Sequence, residues 1–238
     1  MKGEEIVFKM QEIFKSTYNR DKIGKIIQYG HKAIGWYQKE VLGDEKEAKH
    51  SDSVSSQVSL GRKLFRLGRF VHEWDTIHAF LTSTPLNKVT LRDLINLAKL
   101  FLTSNYWVFD NLYWLSKVGI YRKGDVERYK KLSILFWFLG AIAGFIQVLL
   151  KISKNFADLA TAKRKEDMQA LHKVESERVD LTANFIKSAG DLFVAFSYSI
   201  DVKILPRLFE PNNGAIGVAG VLSALSDLFV IWKGLKKK

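Results

Sequence analysis

Nineteen consecutive residues, 132 to 150 (LSILFWFLGAIAGFIQVLL), carry no charge and are flanked by Lys131 and Lys151. As a helix rising 1.5 Å per residue the run spans about 28 Å, close to the hydrocarbon thickness of a bilayer. Few helices of a water-soluble core need to be apolar on every side for this long, so the run predicts a first transmembrane helix. A second candidate lies at 212 to 232 (NNGAIGVAGVLSALSDLFVIW), with Asp227 as its single ionisable group. Gly214, Gly217 and Gly220 would weaken a helix in water, and a carboxylate in lipid must be paired or protonated. Against both spans stands the alternative of a buried helix in a soluble bundle, and it has more force for the second.

The rest of the chain reads as helix. Only three prolines occur, Pro85, Pro206 and Pro211, and apolar residues return every three or four positions. The expected fold class is an all-α membrane protein: amphipathic cytosolic-side helices plus about two transmembrane helices joined by a long helical segment. Its parts are a basic amphipathic region (1–131), a first span (132–150), a helical region between the spans (151–211), a second span (212–232) and a basic tail (233–238). Within the first part, the pattern predicts a short helix over 4–17, then a helix capped by Asn19 with Asp21 in its first turn. Residues 43–58, polar and Ser-rich, read as a surface connection. A helix from Leu60 to about Leu81 and one capped by Thr90 running to about Tyr121 complete it.

The net charge is +12, which predicts an anionic partner. Residues 1–151 hold 24 basic and 15 acidic side chains, whereas 152–210 hold nine of each. Under the positive-inside tendency this asymmetry puts both termini on the cytosolic side.

In SLGRKLFRLGRF, residues 59–70, cations are threaded through leucines and phenylalanines. At 100° per residue, Leu60, Leu64, Leu67, Phe70, Val71, Trp74, Ile77 and Leu81 fall in an arc of roughly 140°, with Arg62, Arg66 and Arg69 opposite and Lys63 near the border. Such a helix can lie on an anionic leaflet, its apolar arc below the headgroups and Arg62, Lys63, Arg66 and Arg69 on lipid phosphate. It can equally be a helix packed on its neighbours with a solvated basic side. Gly140 with Gly144, and Gly217 with Gly220 and Ala224, form small-residue strips that suit close helix–helix packing.

Several chemistries are excluded or unsupported. The chain has no cysteine, which removes disulfides, thiolate metal sites and Cys nucleophiles. No phosphate-binding Gly-rich loop, HExxH or calcium loop is present. The five histidines lack metal-ligand spacing, and the aromatics adjoin apolar helices, poorly placed for stacking on nucleic acid. Asp110, Asn111 and Asp191 lie in apolar helix surroundings, where hydrogen bonds to backbone or neighbouring helices are expected. No acid–base pair can be nominated, so neither an enzyme, a cofactor nor a metal is expected. The N-terminus, with Glu4, Glu5 and Glu12, reads as neither signal nor transit peptide.

The stretches NRDKIGKIIQY (19–29), SLGRKLFRLGRF (59–70), YWVFDNLYWLSKVGI (106–120) and AGDLFV (189–194), with the Gly-rich final helix ending at Trp232, follow one another as in a known family. In these the chain resembles the peroxin eleven family of peroxisomal membrane proteins, which promote elongation and proliferation of the organelle. The resemblance implies location in the peroxisomal membrane, or that of a related organelle such as the glycosome, with cytosolic termini. It also implies self-association, binding to anionic phospholipid and cooperation with dynamin-related fission machinery. On this sequence it carries the lipid-facing role to Leu64, Leu67, Val71 and Trp74, and the phosphate role to Arg62, Lys63, Arg66 and Arg69. A pore for small metabolites is the alternative function.

Overall fold

Eight α-helices form among residues 2–206 and 210–235, the residues described by the computed structural model; residues 236–238 of the basic tail lie outside them. They are α1 (Lys2–Lys15), α2 (Thr17–Glu40), α3 (Glu45–Leu64), α4 (Phe70–Ser83), α5 (Leu91–Lys117), α6 (Val126–Arg164), α7 (Met168–Asp201) and α8 (Asn213–Gly234). No strand occurs among the described residues. Side-chain oxygens start most of them: Asp44, Asp125, Asp167 and Asn212 each accept a backbone N–H three residues on. Thr90 and Asp93 form a reciprocal capping box at α5. Each such cap satisfies an N–H that has no partner within its helix.

Three local expectations change. Ser16, not Asn19, caps α2, and Asn19 is buried one turn inside. The stretch 43–58 is mostly helix α3, because Ala48, Ser51 and Ser55 are small enough to bury against α2. Its sequence is too polar to give an apolar stripe, which is why it resembles a loop. The helix expected over Leu60 to Leu81 breaks at 65–69, where Gly68 takes φ +71°, a left-handed conformation that favours glycine.

Helix neighbours run in the order α2, α8, α7, α6, α5, and α3 touches both α5 and α2, closing a ring. Each neighbour in the ring is antiparallel to the next. Gly214 lies by Trp36 and Gly220 by Tyr29, which fixes α8 against α2. The ion pairs Lys187–Asp227 and Lys233–Asp180 fix α7 against α8. Phe138–Phe196 and Phe145–Phe185 align α6 with α7, and Phe109–Phe136 aligns α5 with α6. Helix α4 packs on α5 beside the ring.

Polarity in this ring is turned inside out. The fully buried side chains include Asp110, Ser104, Ser199 and Ser223 as well as Val194, while Leu139, Ile146, Leu149 and Leu150 of α6 are exposed. On α8, Val218, Leu222, Leu225 and Phe229 make an exposed stripe, and Gly214, Gly217, Gly220 and Ala224 face inward. Only 28% of the most apolar window of α6 and 39% of that of α8 are buried. A helix at the centre of a soluble bundle would be covered on most sides. Both helices are long and apolar enough to cross a membrane.

Candidate functional site

The Arg-rich stretch has two faces where the wheel puts them, and each meets something other than expected. Arg62 and Arg66 are buried, whereas Leu64, Leu67, Val71 and Trp74 are exposed. Leu60 and Phe70 are half-buried at the edges of the apolar face. Neither the headgroup-facing arginines nor the solvated basic side of the two sequence readings is observed: the cations point into the ring.

Acids on α2 and α5 hold them there. Arg62 Nε and NH2 donate to the two oxygens of Asp21 at 3.0 and 3.2 Å, and NH1 donates to Gln28 Oε1 at 2.6 Å. Two parallel bonds from one guanidinium to one carboxylate are the strongest form of this pair. Gly24 makes the space, since a Cβ there would lie 2.9 Å from Arg62 Cγ. Lys63 pairs with Asp110, and Arg66 NH2 lies 3.2 Å from the other Asp110 oxygen. Arg66 NH1 also donates to the Tyr106 hydroxyl at 2.9 Å. Arg69 has no carboxylate partner among the described residues and sits over the Tyr18 and Trp107 rings, with centroids at 4.5 and 4.6 Å. Asn111 fixes the bend in the chain, accepting from Gly68 N and donating to the Arg66 carbonyl.

Burial alone would push the Asp110 carboxyl up, but the charges of Arg66 and Lys63 outweigh it and hold the group below the usual carboxylate range. For Asp21 burial is likewise outweighed, here by Arg62 and then Arg66. Both acids are therefore ionised counter-charges.

A second cluster joins α2, α7 and α8. Lys25 pairs with Asp191 and donates to Ser223 Oγ at 2.8 Å. Asp227 receives Lys22 and Lys187, each at 2.8 Å, and the Tyr18 hydroxyl at 2.6 Å. The one ionisable group of the second apolar stretch is thus fully paired inside the chain.

Between these clusters the ring lines a half-open chamber of about 630 Å³. Ten Lys or Arg side chains and four carboxylates line it, with an aromatic wall that includes Tyr106, Trp137 and Tyr198. The small-residue strips pack within the chain: Gly140 faces Thr103 and Gly144 faces Lys99 of α5, while Gly217 and Gly220 face Ala33 and Tyr29 of α2.

The acid partners Asp21 and Asp110 and the chamber lysines Lys99 and Lys151 were not legible as a set in the sequence. What signal exists is a charge placed within otherwise apolar helix periodicity, as in NRDKIGK and VFDN, but the partners lie 41 and 47 residues apart.

Comparison with known proteins agrees with the family that the sequence resembles. The family described as peroxisomal biogenesis factor 11 (PEX11) matches residues 8–232. The chain is 25% identical to the peroxisomal membrane protein 11 homolog of Dictyostelium discoideum, over 93% of this chain and 92% of that one. It is 29% identical to peroxisomal membrane protein 11-1 of Oryza sativa subsp. japonica (88% and 86% covered) and 21% identical to peroxisomal membrane protein 11A of Homo sapiens (90% and 92%). No solved structure matches significantly. With nearly its whole length matched, this chain belongs to the peroxisomal biogenesis factor 11 family.

Proposed function

We propose that the chain is a non-enzymatic peroxisomal membrane protein that remodels and elongates the organelle membrane, held there by the outward apolar faces of the ring, those of α6 and α8 among them, with both termini, which leave the ring at the same end, cytosolic. Family membership supports the location and the general role. The observation that carries the mechanism is the exposed apolar ridge of Leu64, Leu67, Val71 and Trp74 across the α3–α4 bend. Each such side chain gains about 1.5–3 kcal/mol on leaving water, so the ridge favours insertion into one leaflet. A wedge in one leaflet expands it and promotes curvature. The phosphate role of Arg62, Lys63 and Arg66 gives way in this reading to holding the ridge outward, since each is already paired with Asp21 or Asp110. Self-association runs through outward apolar surface, because the glycine strips are occupied within the chain. Recruitment of dynamin-related machinery rests on the family alone.

The chamber favours a second reading, passage of small metabolites through the ring. Reconstitution into vesicles tests both. The parent is expected to elongate them, and Leu64→Ser/Leu67→Ser/Val71→Ser/Trp74→Ser is expected to retain its helical circular dichroism and lose elongation. Elongation unchanged in that variant would contradict the wedge. Absence of any reproducible conductance, with incorporation verified, would remove the second reading.

A further inference from the structure

The cations lining the chamber are not all matched by acids. Asp21, Asp110 and Asp191 are each occupied by the lysines and arginines named above. The fourth carboxylate, Glu73, accepts from the Trp107 indole N–H. Lys99 and Lys151, on α5 and α6, have no carboxylate within ion-pair distance among the described residues. Lys187 of α7 reaches Asp227, which Lys22 already holds. Lys99 is half-buried, and its stem lies on Gly144, where an added Cβ would be 3.6 Å from Cε. Lys151 is exposed and stands at the rim. Burial lowers the Lys99 ammonium from its ordinary range, and the neighbouring charges of Lys187 and Lys151 lower it further.

We propose that Lys99, Lys151 and Lys187 form a binding site for a phosphate-type dianion, carried by a small organic molecule or by a lipid headgroup that reaches the chamber. Three ammonium groups lining one chamber from three helices, without a counter-charge to neutralise Lys99 and Lys151, repel one another until an anion joins them. A doubly charged oxyanion with several acceptor oxygens answers two unmatched lysines better than one carboxylate does, and ammonium groups suit phosphate as point charges. The Arg66 Nε, buried within the chamber lining, has no hydrogen-bond partner. The chamber's volume leaves room for the organic body beside the aromatic wall. The site deepens the chamber reading, yet it needs no through-passage: phosphate binding without conductance would remove transport and leave the site standing.

The full chain, purified in a neutral detergent, is titrated calorimetrically with inorganic phosphate at fixed ionic strength. In a second arm it is placed in vesicles of phosphatidylcholine with or without phosphatidic acid, and its thermal midpoint is read. Lys99→Gln/Lys151→Gln is compared with Lys46→Gln/Lys49→Gln, which removes the same charge from the exposed side of α3. Phosphate binding is expected to weaken about tenfold for each lysine removed from the chamber and to be unchanged in the α3 variant. Without ligand, the chamber variant is expected to be at least as stable as the parent, because it loses repulsion. A midpoint shift confined to phosphatidic acid and lost in the chamber variant would identify the headgroup as the source. If parent and chamber variant respond alike in both arms, the site does not exist.

Discussion

Replacement of Asp110 by Ala is expected to destabilise the folded chain by about 3–5 kcal/mol, the cost of leaving a buried charge uncompensated. Asp110 is almost completely buried and is the counter-charge of both Lys63 and Arg66. Removing it leaves two cations facing each other in the ring, with Arg62 one turn away. The α3–α5 contact that closes the ring rests on these pairs, so the bend at 65–69 should loosen and the ridge lose its orientation. Unfolding in detergent, followed by circular dichroism, gives the magnitude. A double variant, Asp110→Ala/Arg66→Leu, should recover part of the loss, since one of the stranded charges is gone. Equal stability of Asp110→Ala and parent would mean that these side chains are not paired in the folded protein.

Glycines give the second large effect and also a contrast. A Cβ on Gly217 would lie 2.6 Å from Ala33 N and from Tyr29 O, both backbone atoms of α2 that cannot rotate aside. Gly217→Val should therefore push α8 off α2, with a loss of about 1–3 kcal/mol or more from overpacking. At Gly144 the same atom would meet Lys99 Cε at 3.6 Å, an ordinary contact with a flexible side chain. Gly144→Ala should be tolerated, even though Gly140 and Gly144 form the more familiar GxxxG spacing. Stability measurements on the two variants check the contrast, and a tolerant Gly217 would contradict the α2–α8 packing.

Helix content, the two long apolar helices and the two faces of the Arg-rich stretch were legible because each is a local property of periodicity. Residues 132–150 lie within α6, and 212–232 all but coincide with α8. The direction in which each face points was not legible. Arg62 and Leu64 define opposite sides of a helix from spacing alone, but which side meets protein depends on Asp21 and Asp110, supplied by other helices. The same holds for Asp227: the sequence requires a partner for it, and only the folded ring identifies Lys22, Lys187 and Tyr18. Helix α3 was hidden for a related reason. Its contact face is serine and alanine, chosen by the closeness of α2 at Gly35, where an added Cβ would meet the Ala48 carbonyl at 3.3 Å, and not by hydrophobicity. Long-range pairing, rather than composition, decides whether a basic amphipathic helix shows lipid its charges or its leucines.

The absence of cysteine makes that orientation directly measurable. Single substitutions Val71→Cys, Ile146→Cys and Phe229→Cys, with Ser104→Cys as a buried reference, can be spin-labelled in the reconstituted protein. Collision rates with oxygen, which concentrates in lipid, are then compared with those of a water-soluble nickel chelate. The inside-out ring predicts that labels at Val71, Ile146 and Phe229 collide mainly with oxygen, whereas Ser104 is shielded from both. Labels at Ile146 and Phe229 that collide chiefly with the nickel reagent would contradict it.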